Sequence, residues 1–169
     1  MTLTAGVVAV QGDVTEPSSV REAMEHTDGV CHLAAIDELG GDAERMYEVT
    51  VEGTRHVLDA ADEAGGERIV YCGSDTSLGD TDGEVCDESK ERSDEPLRSV
   101  YAETMARAHG LVESRIEQGA PIVHAIVSTV YGPGDDSPVA DLIEHHLAGR
   151  ALVYLDRDAG YKLTHVDDA

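Results

Sequence analysis

Phenylalanine and tryptophan are absent from the 169 residues, and only two of the 12 lysines and arginines, Lys90 and Lys162, are lysines. Positive charge is scarce throughout: 35 Asp and Glu outweigh it and leave a formal charge of −23. A polyanion of this kind repels nucleic acid and anionic membrane surfaces, so neither is expected as a partner. No apolar run approaches the ~20 residues of a membrane span, and no charged-then-apolar leader opens the chain, which reads as soluble and cytoplasmic. The three cysteines lack C-x-x-C spacing, so neither a metal site nor a disulfide framework is expected. Cys31 and Cys72 stand in apolar runs and read as buried, reduced thiols. No G-x-x-G-x-x-G string occurs either; the glycine pairs Gly40-Gly41 and Gly65-Gly66 follow or flank helices.

The acids are spread along the chain rather than gathered in a tail, which favours adaptation to high salt over a dedicated acidic binding surface. At molar ionic strength screening acts over ~3 Å and removes most self-repulsion.

Strand-like and helix-like segments alternate. Val7–Val10 is a short β-branched run, and Pro17–His26 reads as a helix with Thr15 as its cap and Pro17 in its first turn. Val30–Ala35 is a second strand. From Ala43 to Ala64, Met46, Val49, Gly53, Val57, Ala60 and Ala61 recur at helical spacing. Arg68–Cys72 is a third strand, and the acidic stretch 75–97 has no sustained period and reads as a long loop. A helix over Arg98–Gln118 turns Tyr101, Met105, Ala108, Val112 and Ile116 to one side. Pro121–Val127 is a strand, 138–148 a helix and Ala151–Leu155 a strand. Crossovers of this length imply one α/β domain, residues 1–169, with a parallel sheet and helices on both faces. His32 reads as a strand residue satisfied by its neighbours, and His145-His146 as a solvated helix face.

Seven strings, in order, resemble the extended short-chain dehydrogenases/reductases, including their sugar-nucleotide epimerase and dihydroflavonol-reductase-like branches. They are Gly12-Asp13-Val14, Cys31-His32-Leu33-Ala34-Ala35, Val51–Ala61, Ile69–Ser74, Tyr101 at the head of its helix, Ser128–Asp135 and Thr164–Asp168. The resemblance implies a doubly wound parallel sheet of Rossmann type binding NAD or NADP. It assigns cofactor contacts to Asp13, Val14, Leu33, Ala34, Ala35, Thr50, Cys72, Val127 and Val130, and catalysis to Ser74 and Tyr101. Asp13 could equally be a turn acid or a cap. Ser74 would hold a substrate oxygen within reach of the Tyr101 phenol, which exchanges a proton while hydride moves. The implied substrate is a small molecule with an alcohol or ketone carbon, such as a nucleotide sugar. The implied homodimer forms through helices 43–64 and 98–118.

The chain departs from the family in four places. Free tyrosine has a pKa of ~10, and the family's lysine, four residues on, favours the phenolate. Here that position is Met105, which carries no charge. Arg98, one turn before Tyr101, has the wrong stem for the ribose contact that the lysine also makes. The Gly-rich loop is missing, so by resemblance the chain starts at the family's third strand and stops where the C-terminal substrate lobe would begin. In the order 3-2-1-4-5-6 this removes the strands joining strand 3 to strand 4. Strand 4 is then left with an open edge, and Val7–Val10 either pairs directly with Val30–Ala35 or finds no place. Thr50 stands where Asn is usual. The reading is an incomplete member of the family, inactive alone. The alternatives are a non-catalytic NAD(P)-binding or dimerising protein, and a reading frame that starts upstream and restores the glycine loop.

Overall fold

The structure, a computed structural model, describes residues 6–37, 41–65, 68–81, 83–87, 89–90, 96–135, 137–150 and 162–169. It divides into two compact units, one built from residues up to 73 with 96–125, the other from 74–95 with 126–169.

The first unit begins with helix α1 (Pro17–Met24), followed by strand β1 (Gly29–His32). A long helical stretch comes next, α2 (Ala43–Tyr47), a π-helical turn (Glu48–Glu52) and α3 (Gly53–Glu63). The expected single helix over 43–64 is therefore interrupted by one wide turn. Its start is fixed by Asp42, whose side chain accepts from the amides of Glu44 and Arg45. Strand β2 (Arg68–Ser74) leads toward α4 (Val100–Glu117), where Ser99 accepts from the Ala102 amide at the cap, and then β3 (Ile122–Val127). The sheet order is β1-β2-β3; β1 and β2 run parallel with His32 opposite Tyr71.

One face of this sheet is packed. Val20 and Met24 of α1, Val57, Leu58, Ala60 and Ala61 of α3, and Ala108 and Val112 of α4 close over Ile69 and Tyr71 of β2. Successive strand residues point to opposite faces, and on the other face Val70 is 41% and Val123 62% exposed. Unit one thus carries its helices on one face among the described residues, not on both. Cys31 points to that bare face and is exposed, contrary to the buried thiol expected; all three cysteines are free.

Of the two outcomes expected for Val7–Val10 the second holds, and the expected cap of α1 does not. Val7–Val10 forms no strand: Val7 is 55%, Val8 82% and Val10 70% exposed. A strand needs a neighbour to take up its backbone groups, and β1 is an edge with no partner on that side among the described residues. Thr15 does not cap α1; Glu16 takes that place without a side-chain hydrogen bond. The Thr15 hydroxyl and amide are instead donated to Asp13 Oδ1, at 2.8 and 2.9 Å.

In the second unit Ser74 caps a 3₁₀ turn (Asp75–Leu78), strand β4 (Thr129–Tyr131) pairs in parallel with β5 (Leu163–His165), and α5 covers Pro138–Leu147. A second 3₁₀ turn (Val166–Asp168) follows β5. The strand expected at Ala151–Leu155 lies outside the described residues, as does part of the 75–97 stretch.

Candidate functional site

A cavity of about 520 Å³ opens beside β1 in the first unit. Six consecutive residues, Gly29 to Ala34, line it, so it runs along the open backbone edge of the strand rather than one face. Its opposite wall is α1 together with Gly12, Asp13 and Val14. Ligands of parallel α/β sheets bind outside the carboxyl ends of the strands. Here that end is Leu33-Ala34-Ala35, where Leu33 is 69% exposed.

The 12–16 turn is docked on α3. The His56 Nδ1–H donates to the Val14 carbonyl at 2.9 Å, and Gly53 allows Val14 to approach so closely that a Cβ there would lie 2.8 Å from Val14 Cγ2. Gly12 has no side chain to meet Ser19 Oγ, which accepts from the Asp13 amide at 2.9 Å. The Asp13 carboxyl is held below the usual carboxylate range first by the Thr15 amide, then by the Thr15 hydroxyl, with Arg45 adding to both. Its Oδ1 thus serves the turn, while among the described residues Oδ2 meets the half-exposed Arg45, at 3.7 Å.

Of the residues expected to meet a cofactor, Asp13, Val14, Leu33 and Ala34 come together around this cavity. Ala35 is exposed just beyond it. Thr50 does not line it: it is 1% exposed, and its Oγ1 accepts from the Ile36 amide at 3.3 Å, tying down the segment after β1. Cys72 is half-buried on β2, and burial raises its thiol pKa. Val127 ends β3, and Val130 is paired with Thr164 in the β4–β5 sheet of the second unit.

Tyr101 is half-buried in the first turn of α4. Met105 is buried at 3% exposure one turn on. Ser74, in the second unit, is nearly buried; its Oγ accepts from the Thr76 amide at 3.3 Å and bonds the Thr76 hydroxyl at 2.9 Å.

Beneath the sheet runs a polar seam that replaces the missing phenylalanines. The Thr54 hydroxyl donates to the Thr50 carbonyl at 2.6 Å, leaving its oxygen to accept from His32 Nε2 at 3.0 Å. Burial lowers the His32 pKa to about 4 and, as the first cause, raises that of Tyr71 to about 12. His32, Tyr71 and His124 follow one another across β1, β2 and β3 with ring centroids 5.7 and 5.1 Å apart. Sequence reasoning passed over Gly53 and His56. A glycine inside a helical period was the available signal for the first; nothing local announced the second.

A parallel sheet with crossover helices packed on it places the chain among the Rossmann-type α/β proteins. The chain matches the sequence profile of the NAD dependent epimerase/dehydratase family over residues 3–169, and it belongs to that family. A Synechocystis protein bearing the name dihydroflavonol 4-reductase is 32% identical over 163 residues, covering 94% of this chain and 47% of that protein. The crystal structure of gox2253 superposes with a TM-score of 0.79 at 32% identity, over 92% of this chain and 48% of that one. A dTDP-glucose 4,6-dehydratase of Streptomyces venezuelae, solved with NAD bound, has the same fold at a TM-score of 0.77 and 23% identity, over 92% of this chain and 50% of that one. The chain therefore spans about half the length of the relatives it matches. Among the described residues no helix is long and apolar enough to cross a membrane.

Proposed function

We propose that this chain, residues 1–169, is the NAD(P)-binding Rossmann-type part of an extended short-chain dehydrogenase/reductase. The observation that carries the reading is the cavity joining Asp13 and Val14 to Leu33 and Ala34. It offers apolar walls, and at its rim Asp13 Oδ2 faces the half-exposed Arg45 guanidinium at 3.7 Å, a contact that a ligand amine can replace. That combination fits a purine: Asp13 Oδ2 accepts from an exocyclic amine while Val14 and Leu33 cover the ring. The residues present do not offer the glycine loop that holds a pyrophosphate on a helix N-terminus, so binding through this edge alone is weak.

When bound, a nicotinamide dinucleotide supplies hydride transfer at an alcohol or ketone carbon, on a sugar nucleotide or a smaller substrate. In this reading the Tyr101 phenol exchanges the substrate proton and the Ser74 hydroxyl orients the substrate oxygen. Met105 favours the second reading, a non-catalytic binder, because a buried thioether brings no charge to stabilise a phenolate. Pairing of two copies through helices 43–64 and 98–118 belongs to either reading and is checked by sedimentation equilibrium in molar KCl.

Fluorescence titration of the chain with NADH tests the cofactor site. Saturable enhancement is expected, weakened by Leu33→Asp, which alters an exposed wall residue without touching the core. No change at millimolar NADH removes the proposal.

A further inference from the structure

Away from the cavity, three side chains with metal-ligating atoms converge in the first unit. His109 and Glu113 stand four residues apart on α4, hence on one face, and His124 reaches them from β3. Their ligand atoms all lie within 4.8 Å of one another. We propose that His109, Glu113 and His124 form a binding site for one divalent cation of the zinc class, joining α4 to β3. The proposal does not rest on the dinucleotide reading.

The geometry needs little adjustment. A tetrahedral ion with bonds of ~2.0 Å sets its donor atoms about 3.3 Å apart. Glu113 Oε1 is 2.6 Å from His124 Nδ1 and 4.0 Å from His109 Nε2, so a carboxylate shift of less than an ångström evens those two distances, while the imidazole nitrogens, within 4.8 Å of each other, close to the same spacing by tilting of the His109 ring. The imidazoles already face each other edge to plane, with centroids 4.5 Å apart. His124 is held firmly: its side chain is 5% exposed and it stacks edge-on to Tyr71. Gly73 makes its place, since a Cβ there would come within 2.4 Å of His124 Nε2. Glu113, at 45% side-chain exposure, and His109, at 21%, leave the open side where water completes the shell.

Donor chemistry selects the ion. Two imidazole nitrogens and one carboxylate suit Zn²⁺, Co²⁺ or Ni²⁺, whereas Mg²⁺ and Ca²⁺ want oxygen throughout. Nε2 of His124 is buried without a hydrogen-bond partner. Histidine ligands ordinarily have an outer partner on the second nitrogen that raises affinity. Lacking it, this site is expected to bind ~10–100-fold more weakly than one with that partner. The absence of C-x-x-C spacing, on which no metal was expected, says nothing of this cluster, because it holds no cysteine and His124 arrives from a neighbouring strand.

The test is Co²⁺ titration of the full chain, followed by its visible d–d bands, in molar KCl with excess Mg²⁺ to occupy surface carboxylates. One equivalent is expected, displaced by Zn²⁺. His109→Ala and Glu113→Gln alter accessible side chains and should each weaken binding about tenfold or more, at least the loss that an outer-shell partner causes. Metal-free thermal melts of both variants should match the parent. A His145→Ala/His146→Ala variant should bind as the parent does. Absence of the bands, unchanged affinity in either single variant, or loss of binding only in the His145/His146 variant overturns the proposal.

Discussion

Gly53→Ala reverses the usual sign of a glycine-to-alanine change in a helix. Gly53 opens α3 with φ −57° and ψ −45°, ordinary right-handed helical values. Nothing in its backbone calls for glycine, so on helix propensity alone alanine would stabilise by ~1 kcal/mol. The space is what forbids it. The added methyl would stand 2.8 Å from Val14 Cγ2 and 3.2 Å from Val14 Cβ, and Val14 is held in place by the His56 bond to its carbonyl. Overpacking of this kind costs ~1–3 kcal/mol, so the net expectation is a loss of about 1 kcal/mol. Urea unfolding followed by far-UV circular dichroism in molar KCl reads this as a lower midpoint at unchanged slope. Val14→Ala removes the nearer carbon, and in that background Gly53→Ala should become neutral or stabilising. The double-mutant cycle then shows a coupling of about 1 kcal/mol or more. A gain of about 1 kcal/mol from Gly53→Ala in the parent, or no coupling to Val14, refutes the argument that close approach dictates this glycine.

Acid should destabilise the chain through His32. Its folded pKa lies near 4 against 6.5 for an unburied imidazole, so the unfolded chain binds the proton first. Stability is then fully present above pH 6.5 and falls toward pH 4, by at most about 3 kcal/mol. His32→Gln should flatten this part of the profile, and an unchanged slope would sink the assignment. With a formal charge of −23, the melting temperature should rise strongly between low and molar KCl; a flat response removes the high-salt reading. Met105→Lys should lower stability by about 3 kcal/mol or more, because it puts an ammonium where Met105 is 3% exposed. It should restore no turnover; measurable alcohol-dependent reduction of NAD would show instead that the lysine alone was limiting.

The helices were readable because each needs only its own period. Met105, Ala108 and Val112, placed on one side of α4 by spacing, are buried at 3, 0 and 0%. The misreadings are relational. Val7–Val10 has strand composition but no neighbour, and Thr15 has cap chemistry but gives its protons to Asp13. The candidate cavity was half readable. The strings around Asp13 and Leu33 pointed to it, whereas the contacts by which Gly53 and His56 hold Val14 in position act across the chain, and His56 leaves no local pattern. Cys31 is the sharpest case, because its strand was recognised and its burial was not. An apolar run of four to six residues reads as covered on both faces, the usual state of a parallel strand. Here only the His32 side of β1 meets helices. If that asymmetry is correct, Cys31→Ser, which would cost several kcal/mol in a dry core, should change stability by no more than ~0.5 kcal/mol. The native thiol of Cys31 should react with a disulfide reagent in folded protein, ahead of Cys72, whose burial raises its pKa and so depletes the thiolate. Protection of Cys31 at native conditions, or a large loss on its replacement, would mean that another layer covers this face of the sheet.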